Sequence, residues 1–371
     1  MKKKMVTALL AAVVTGSLLL SGCGGSSGAS SSGGSNASSD AAKEETKEEE
    51  AAEDTAAADT AAAPAAGAQT WNIGTSSSGA FYYVGTAIAQ IVTPELTSQG
   101  LTIVSEASNG SIENARRLNS GEIMMGIVPT WNMDAEIEAG NVQAENLNYI
   151  IPLYTNYLHY MTPPATGVKT MAEAMQWAKD NKASIGCGEP GSGYYQQWQW
   201  TLDSFGLSMD DISEQRISPA ECVDLMKDGD LNFMVINSGL YNSQVSDLAS
   251  SISGGIQLLA WTDEEIASFQ EKSPCFFATD IPGGIYEGNP EDTHSLAFKP
   301  VLYCRADLDE ELVYQFTKAM CEHTEEMGAI YEPCLEITKE AGGEMKDVYE
   351  ADGIKMHPGA ERYFREVGVL Q

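Results

Sequence analysis

From Trp71 onward, short apolar and β-branched runs alternate with segments whose apolar residues recur at three- and four-residue intervals. The first pattern suits buried strands and the second amphipathic helices, so the chain predicts an α/β architecture with largely parallel strand pairing. Phe81, Val84, Ile88, Ile91 and Val92 form one stripe and predict a helix that stops before Pro94. Ile112, Ala115 and Leu118 predict another, closed by Gly121.

The pattern is written twice. Ile73-Gly74 leads through small residues to Gly79-Ala80-Phe81-Tyr82-Tyr83, and Ile185-Gly186 leads through small residues to Gly193-Tyr194-Tyr195. Downstream, Ser120-Gly121-Glu122-Ile123 runs into apolar Met124 to Val128, as Asp228-Gly229-Asp230-Leu231 runs into Phe233 to Ile236. The offsets nearly agree, 112 residues from Ile73 to Ile185 and 108 from Gly121 to Gly229. Two unrelated β-loop-α units would give the same echo; a duplicated α/β lobe is the other reading. In the duplicated case each lobe carries a Gly/Ser loop at the carboxyl end of its first strand, where open α/β sheets bind ligands. Two such loops facing each other make a cleft that closes by hinge motion around a small molecule.

Before Trp71 the pattern disappears. Lys2, Lys3 and Lys4 precede an apolar run from Met5 to Leu20, too short and wrongly flanked for a stable membrane span, so residues 1–22 read as an export signal. Leu20-Ser21-Gly22-Cys23 resembles the bacterial lipobox, which makes Cys23 the expected lipid anchor; a chance run of small residues before a buried cysteine is the alternative. From Gly24 to Ala68 there is no aromatic or large aliphatic residue, so residues 23–70 are expected to form a lipidated, disordered Gly/Ser/Ala/Glu tether with a reach of about 40 Å. The expected location is outside the cytoplasm, anchored to the membrane surface. Gly24-Gly25-Ser26-Ser27-Gly28 matches the hydrolase pattern G-x-S-x-G but lacks the strand and helix that pattern needs.

Charge narrows the partners. With 21 Lys+Arg against 53 Asp+Glu, a formal net charge of −32, and no basic cluster beyond Lys2-Lys3-Lys4 and Arg116-Arg117, the chain repels phosphate backbones, and nucleic acid is excluded as a partner. Its 371 residues, 43% of them hydrophobic, are enough for about two domains with real cores.

The candidate chemistry lies in the loops. Thr75-Ser76-Ser77-Ser78-Gly79 places hydroxyls and unhindered backbone N–H groups where a helix begins, and a helix start carries partial positive charge. Asn109-Gly110-Ser111 and Pro190-Gly191-Ser192-Gly193 repeat the arrangement. Three such ends converging would hold a small carboxylate without any cation; the alternative is that these residues merely cap their own helices.

Other chemistry is thinner. Gly186-Cys187-Gly188-Glu189-Pro190-Gly191 matches the dinucleotide pattern G-x-G-x-x-G, with Asp210 about 20 residues on, but Pro190 falls in the phosphate turn and an exported protein has little access to such a cofactor; none is expected. Cys187, Cys222, Cys275, Cys304, Cys321 and Cys334 form no C-x-x-C pair, and read as buried free thiols or as disulfides whose pairing the sequence does not choose. His159, His294, His323 and His357 are scattered and suggest no metal site. No nucleophile or carboxylate pair sits in a recognised catalytic frame, so no catalytic residue is assigned.

The chain resembles the TAXI branch of solute receptors that serve TRAP (tripartite ATP-independent periplasmic) transporters. The resemblance spans about Trp71 to Val369 and is carried by Ile73-Gly74-Thr75 running into Tyr82-Tyr83 and Gly85, by Ser111-Ile112-Glu113-Asn114 with Leu118 and Ser120-Gly121-Glu122, and by Pro190-Gly191-Ser192-Gly193. It continues through Ile281-Pro282-Gly283-Gly284-Ile285-Tyr286, Arg305-Ala306-Asp307-Leu308 with Val313-Tyr314, and His357-Pro358-Gly359-Ala360-Glu361-Arg362-Tyr363.

The resemblance implies a type II periplasmic-binding-protein fold with a hinge between two lobes, the first expected at 71–162 and 285–371 and the second at 163–284. It implies a non-catalytic, monomeric receptor that captures a small organic acid or amino acid, such as glutamate, and delivers it to TRAP membrane subunits. By that resemblance Thr75, Ser78, Gly79, Tyr82, Asn109, Gly110, Ser111, Ser192 and Gly193 line the cleft, with Asn237, Ser238, Pro282 and Gly283 as further contributors; Ser76 joins them from the loop reading. The chain departs from the family at Pro129-Thr130-Trp131, at Tyr194 and at Glu189. If Trp131 and Tyr194 face the cleft, the ligand has an apolar or ring portion; if not, they belong to lobe cores. A sensor for a signalling partner would share the same fold and site, and a lipid-anchored hydrolase would require turnover.

Overall fold

A computed structural model describes residues 68–189 and 192–371. The expected export signal, Cys23, the tether up to residue 67 and Pro190-Gly191 lie outside the described residues. Among the described residues no helix is long and apolar enough to cross a membrane.

The chain makes two passes and a return. The first pass forms β1 (Gln69–Gly74), α1 (Ala80–Leu96), β2 (Leu101–Glu106), α2 (Ser111–Ser120), β3 (Met125–Pro129), α3 (Thr130–Glu138) and β4 (Leu147–Pro152). After residues 153–155 it enters β5 (Asn156–Thr162), α4 (Met171–Asn181), β6 (Ser184–Gly186), α5 (Tyr194–Ser204), β7 (Ser213–Gln215), α6 (Pro219–Asp228) and β8 (Met234–Ser238). The same pass continues through α7 (Ser243–Ser251), β9 (Gln257–Leu258), α8 (Asp263–Gln270), β10 (Phe277–Ile281) and β11 (Thr293–Phe298). Past Lys299 the return forms β12 (Pro300–Arg305), α9 (Glu310–Glu322), α10 (Thr324–Ile330), α11 (Lys346–Tyr349), β13 (Lys355–Met356) and α12 (Pro358–Glu366).

One sheet has the order β13-β4-β12-β3-β1-β2 and the other β10-β11-β5-β8, with β9 on β5. The pair β6-β7 joins the start of β8 through the parallel bridge Ile185↔Phe233. The echo in the sequence is therefore an echo in topology: β2-β1-β3 in the first lobe corresponds to β7-β6-β8 in the second. Gly121 closes α2 at φ 80° and Gly229 closes α6 at φ 84°, the same left-handed cap at the same place.

Three expectations change. Pairing is not largely parallel: β3–β12, β12–β4, β5–β8 and β11–β5 are antiparallel because β5 and β12 enter their sheets reversed after crossing between the lobes, and β10–β11 is an antiparallel pair of consecutive strands within the second sheet. The crossings fall at 153–155 and at Lys299, so β5 and β11 pair in the second sheet, whereas boundaries after 162 and before 285 had been expected. Three residues between two buried strands leave no break in the apolar pattern to mark the crossing. Finally, α1 runs through Pro94 to Leu96, its stripe continued by buried Val92 and Leu96, although Pro94 has no N–H to donate to the ladder there.

The two cores are distinct. Trp71, Ile73, Ile127, Tyr303, Phe316 and Phe364 belong to the first lobe, and Tyr160, Trp198, Phe233, Trp261, Phe269 and Phe276 to the second. Trp131, on α3 of the first pass, packs instead into the second core, 5.4 Å from Trp200 and 5.8 Å from Phe276 between ring centroids.

Candidate ligand-binding cleft

β1 and β6 both end in loops that open into helices, and these loops border a cavity of about 130 Å³ between the lobes. That is the size of space that holds a single small ring or short-chain acid. Ser76, Ser78 and Gly79 line it from the loop after β1, Asn109, Gly110 and Ser111 from the start of α2, and Trp131 from the first turn of α3. Ser192, Gly193 and Tyr194 line it from the start of α5, and Asn237 and Ser238 from the end of β8.

Four sequence candidates sit elsewhere. Thr75 is buried behind the cavity, where its hydroxyl donates to the Glu106 carbonyl oxygen at 3.0 Å. Tyr82 is exposed beside Tyr83, and Pro282 and Gly283 lie in the β10–β11 connection, where the Gly283 N–H donates to Asp292. Asn132, Asn156, Ile236 and Phe298 line the cavity without having been singled out. Asn132 adjoins Trp131, a signal that was there to use; Asn156 and Phe298 flank the two crossings, which no sequence pattern marks.

Six described helices begin at the cavity, two of them, α6 and α7, with side-chain N-caps and four without. Among described helices of eight residues or more, α4, α6, α7, α8, α9 and α12 each have a side-chain N-cap, supplied by Thr170, Ser218, Asn242, Thr262, Asp309 and His357. The four without one are α1, α2, α3 and α5, preceded by Gly79, Gly110, Pro129 and Gly193, and all four start at the cavity. The hydroxyls and amides read as possible caps do not cap. Backbone ladders begin at Tyr83, Asn114 and Gln197, so the first-turn N–H groups before them have no side-chain acceptor. In a chain this acidic, the first turns of α1, α3 and α5 also contain no Asp or Glu, leaving the positive ends of these helices uncompensated.

The loops are braced from behind. Asn114 Nδ2 donates to the Thr75 carbonyl oxygen at 2.7 Å, while its Oδ1 accepts from Ser108 at 2.7 Å, and the Ser108 oxygen accepts from the Gly110 N–H at 2.9 Å. Asn109 is held by Glu113, whose carboxylate accepts from its side-chain amide at 2.6 Å. In the second lobe Asn237 Nδ2 donates to Gln197 Oε1 at 2.6 Å, and Gln197 Nε2 donates to the Tyr160 hydroxyl at 3.0 Å. The Asn237 N–H donates to Tyr194 Oη at 3.3 Å; burial pushes that phenol up to about 12, so it stays neutral.

Trp131 and Tyr194 answer both readings at once. Trp131 is 2% exposed and packs in the second core, yet it also lines the cavity, as does the half-buried Tyr194. Gly193 is required by this seam: a Cβ there would lie 2.5 Å from Asn132 Oδ1 and 2.6 Å from Trp131 Cη2.

Burial holds a histidine and two cysteines of the second lobe neutral. His159 is buried and pulled down to about 4 by desolvation, a neutral ring between the Ile236 carbonyl oxygen and the Tyr286 hydroxyl. The six described cysteines are free; Cys187 and Cys222 are buried and pushed up to about 12, far from thiolate reactivity. Among the described residues, no group of three His, Cys, Asp or Glu is placed to hold a metal.

The model of the NMT1-like family matches residues 73–368. Among solved structures, the periplasmic binding protein BugD is similar at 11% identity and a TM-score of 0.51, with 81% of this chain and 98% of that chain covered. The alkanesulfonate-binding protein SsuA from Xanthomonas axonopodis pv. citri, bound to MOPS, is similar at 15% identity and a TM-score of 0.43, over 80% of this chain and 83% of its own. A TctC solute binding protein from Polaromonas gives 14% identity and 0.46, over 71% and 87%. At such identities the likeness bears on the fold alone, and that fold is the two-lobed α/β architecture of periplasmic binding proteins.

Proposed function

This chain belongs to the NMT1-like family, and from that premise we propose that it is an extracytoplasmic solute receptor. It captures a small organic acid or amino acid by its carboxylate in the cleft between the lobes. The observation that carries this reading is the convergence of four uncapped helix starts on one cavity, with first-turn N–H groups free to bind an anion. Ser78 and Ser111 add hydroxyls at the same wall, and the Ser192 hydroxyl donates to the Glu189 carbonyl oxygen at 2.7 Å.

The motifs shared with TAXI receptors support delivery to a TRAP-type membrane transporter, and Leu20-Ser21-Gly22-Cys23 supports export and anchoring through lipid on Cys23. Genes for transporter membrane subunits beside this one would favour transport, and a histidine kinase would favour sensing. The direct test is a thermal-shift screen of the full chain, unfolded and refolded to strip carried-over ligand, against dicarboxylates, keto acids and amino acids. A ligand bound only by the folded state raises the melting temperature, by about 2.7 kcal/mol of added stability at a hundredfold excess over Kd. The expected result is a clear shift with one small acid, diminished in Ser78→Ala and Ser111→Ala. A panel with no shift at all would overturn the carboxylate reading.

A further inference from the structure

The charge around the cavity has two signs. The positive part comes from backbone alone, from the uncapped starts of α1, α2, α3 and α5. The negative part is one side chain: among the described residues that line the cavity, Glu189, exposed at its edge, is the one with a charge, and the lining includes no Lys, Arg or His. Arg216 borders an adjoining cavity together with Glu189, but it pairs with Glu214 at 3.1 Å and donates to Tyr195 Oη at 2.9 Å. Among the described residues the Glu189 carboxylate has no cation as partner. The two signs are close together at α5, because the Ser192 N–H donates to the Glu189 carbonyl oxygen at 3.1 Å and closes a turn that sets Glu189 just ahead of the first N–H groups of that helix.

A ligand satisfies both signs only if it carries both. A dicarboxylate would bring a second negative group into a cavity that has no cation to receive it and already has Glu189 at its edge. An α-amino acid has its carboxylate and its ammonium on one carbon, so the first can accept from helix-start N–H groups while the second donates to a carboxylate close by. The same lining supplies apolar surface for a side chain. Phe81 of α1 and Tyr194 of α5 are both half-buried, and Pro129, Ile236 and Phe298 are buried beside the cavity. A charged ligand side chain would have no opposite charge among these groups.

We propose that the ligand is an α-amino acid with an uncharged, apolar side chain, and that Glu189 pairs with its ammonium group. This rests on reading the cleft as a carboxylate receptor. The test is titration calorimetry on the full chain, stripped by refolding, with leucine against 4-methylpentanoate, phenylalanine against 3-phenylpropanoate, and glutamate. The expected result is that the better-fitting of the two apolar amino acids binds about three- to fivefold tighter than its deaminated analogue, the upper range for an exposed ion pair, and tighter than glutamate. Glu189→Gln keeps the size of an exposed side chain and removes its charge. In that variant the preference for the amino acid is expected to disappear, because the ammonium enters without a partner, while the deaminated acid, relieved of a like charge, binds at least as tightly as before. Deaminated acids that bind the wild type as tightly as their amino acids, a preference that survives in Glu189→Gln, or glutamate as the tightest of the five would overturn the assignment and leave the receptor reading intact. A chain that binds none of the five would overturn the assignment, and one that also shows no thermal shift with any acid of the wider screen would overturn the receptor reading with it.

Discussion

Two glycines separate contact from conformation at single positions. Gly193 has an ordinary φ of −71°, so its lack of a side chain is explained by the close approach of Trp131 and Asn132 from the other pass of the chain. Gly193→Ala is expected to cost about 1–3 kcal/mol and to reduce the ligand-induced rise in melting temperature, since the added methyl pushes against buried groups on both sides of the cleft. Gly229→Ala meets open space but a φ of +84°; it is expected to cost about 1–2 kcal/mol and leave the ligand-induced shift unchanged. Thermal melts with and without ligand compare the two, and an undiminished shift in Gly193→Ala would contradict the seam argument. Asp134 is a second such position. Burial first, then the facing Asp352 carboxylate and Glu138, raise its pKa from 3.8 to about 9. The folded chain then keeps a proton that the unfolded chain releases, so this group's contribution is full below about pH 4 and declines as pH rises toward 9. The melting temperature is expected to fall from pH 5 to pH 8 more steeply in the wild type than in Asp134→Asn; parallel profiles would contradict this.

At the scale of elements, the crossings are tied to each other and to the return segment. The Leu153 N–H donates to the Pro300 carbonyl oxygen at 2.8 Å, which joins the two crossings. Glu336 accepts from the Thr155 N–H at 2.9 Å and from its hydroxyl at 2.6 Å, and lies 3.6 Å from Lys299, which also pairs with Glu344 at 2.6 Å. Glu336→Ala leaves the Thr155 donors unpaired and is expected to cost about 1 kcal/mol in urea denaturation; an unchanged midpoint would make the clasp incidental. The same scale explains why the loops were legible and their use was not. Small residues before Ala80, Ser111 and Tyr194 announce helix starts, but whether a serine caps its helix or faces a cavity depends on the path of the loop, which neighbouring elements set.

For the whole molecule, Trp131 couples the lobes. Its ring is supplied by the first pass but buried with Trp200, Phe276 and Phe298 of the second core. Trp131→Ala is expected to cost about 3–5 kcal/mol and, beyond that loss, to separate a single calorimetric unfolding transition into two. A single transition that merely moves to lower temperature would assign the ring a packing role alone. The repeated Gly/Ser loops, the α/β pattern and the two helices first read from apolar spacing were all visible in the chain, because each depends on residues close together in sequence. So was the left-handed close of α2 and α6, since glycine at such a position serves the same purpose wherever it occurs. What only the tertiary structure decided was the reversal of strands at the crossings, the membership of β5 and β11, the placement of Thr75 behind the cavity, and the arrival of Asn132 and Asn156 in its wall. Each of these depends on which segments meet after the chain has crossed twice between lobes, and contacts between distant residues leave no period, cap or spacing in the sequence.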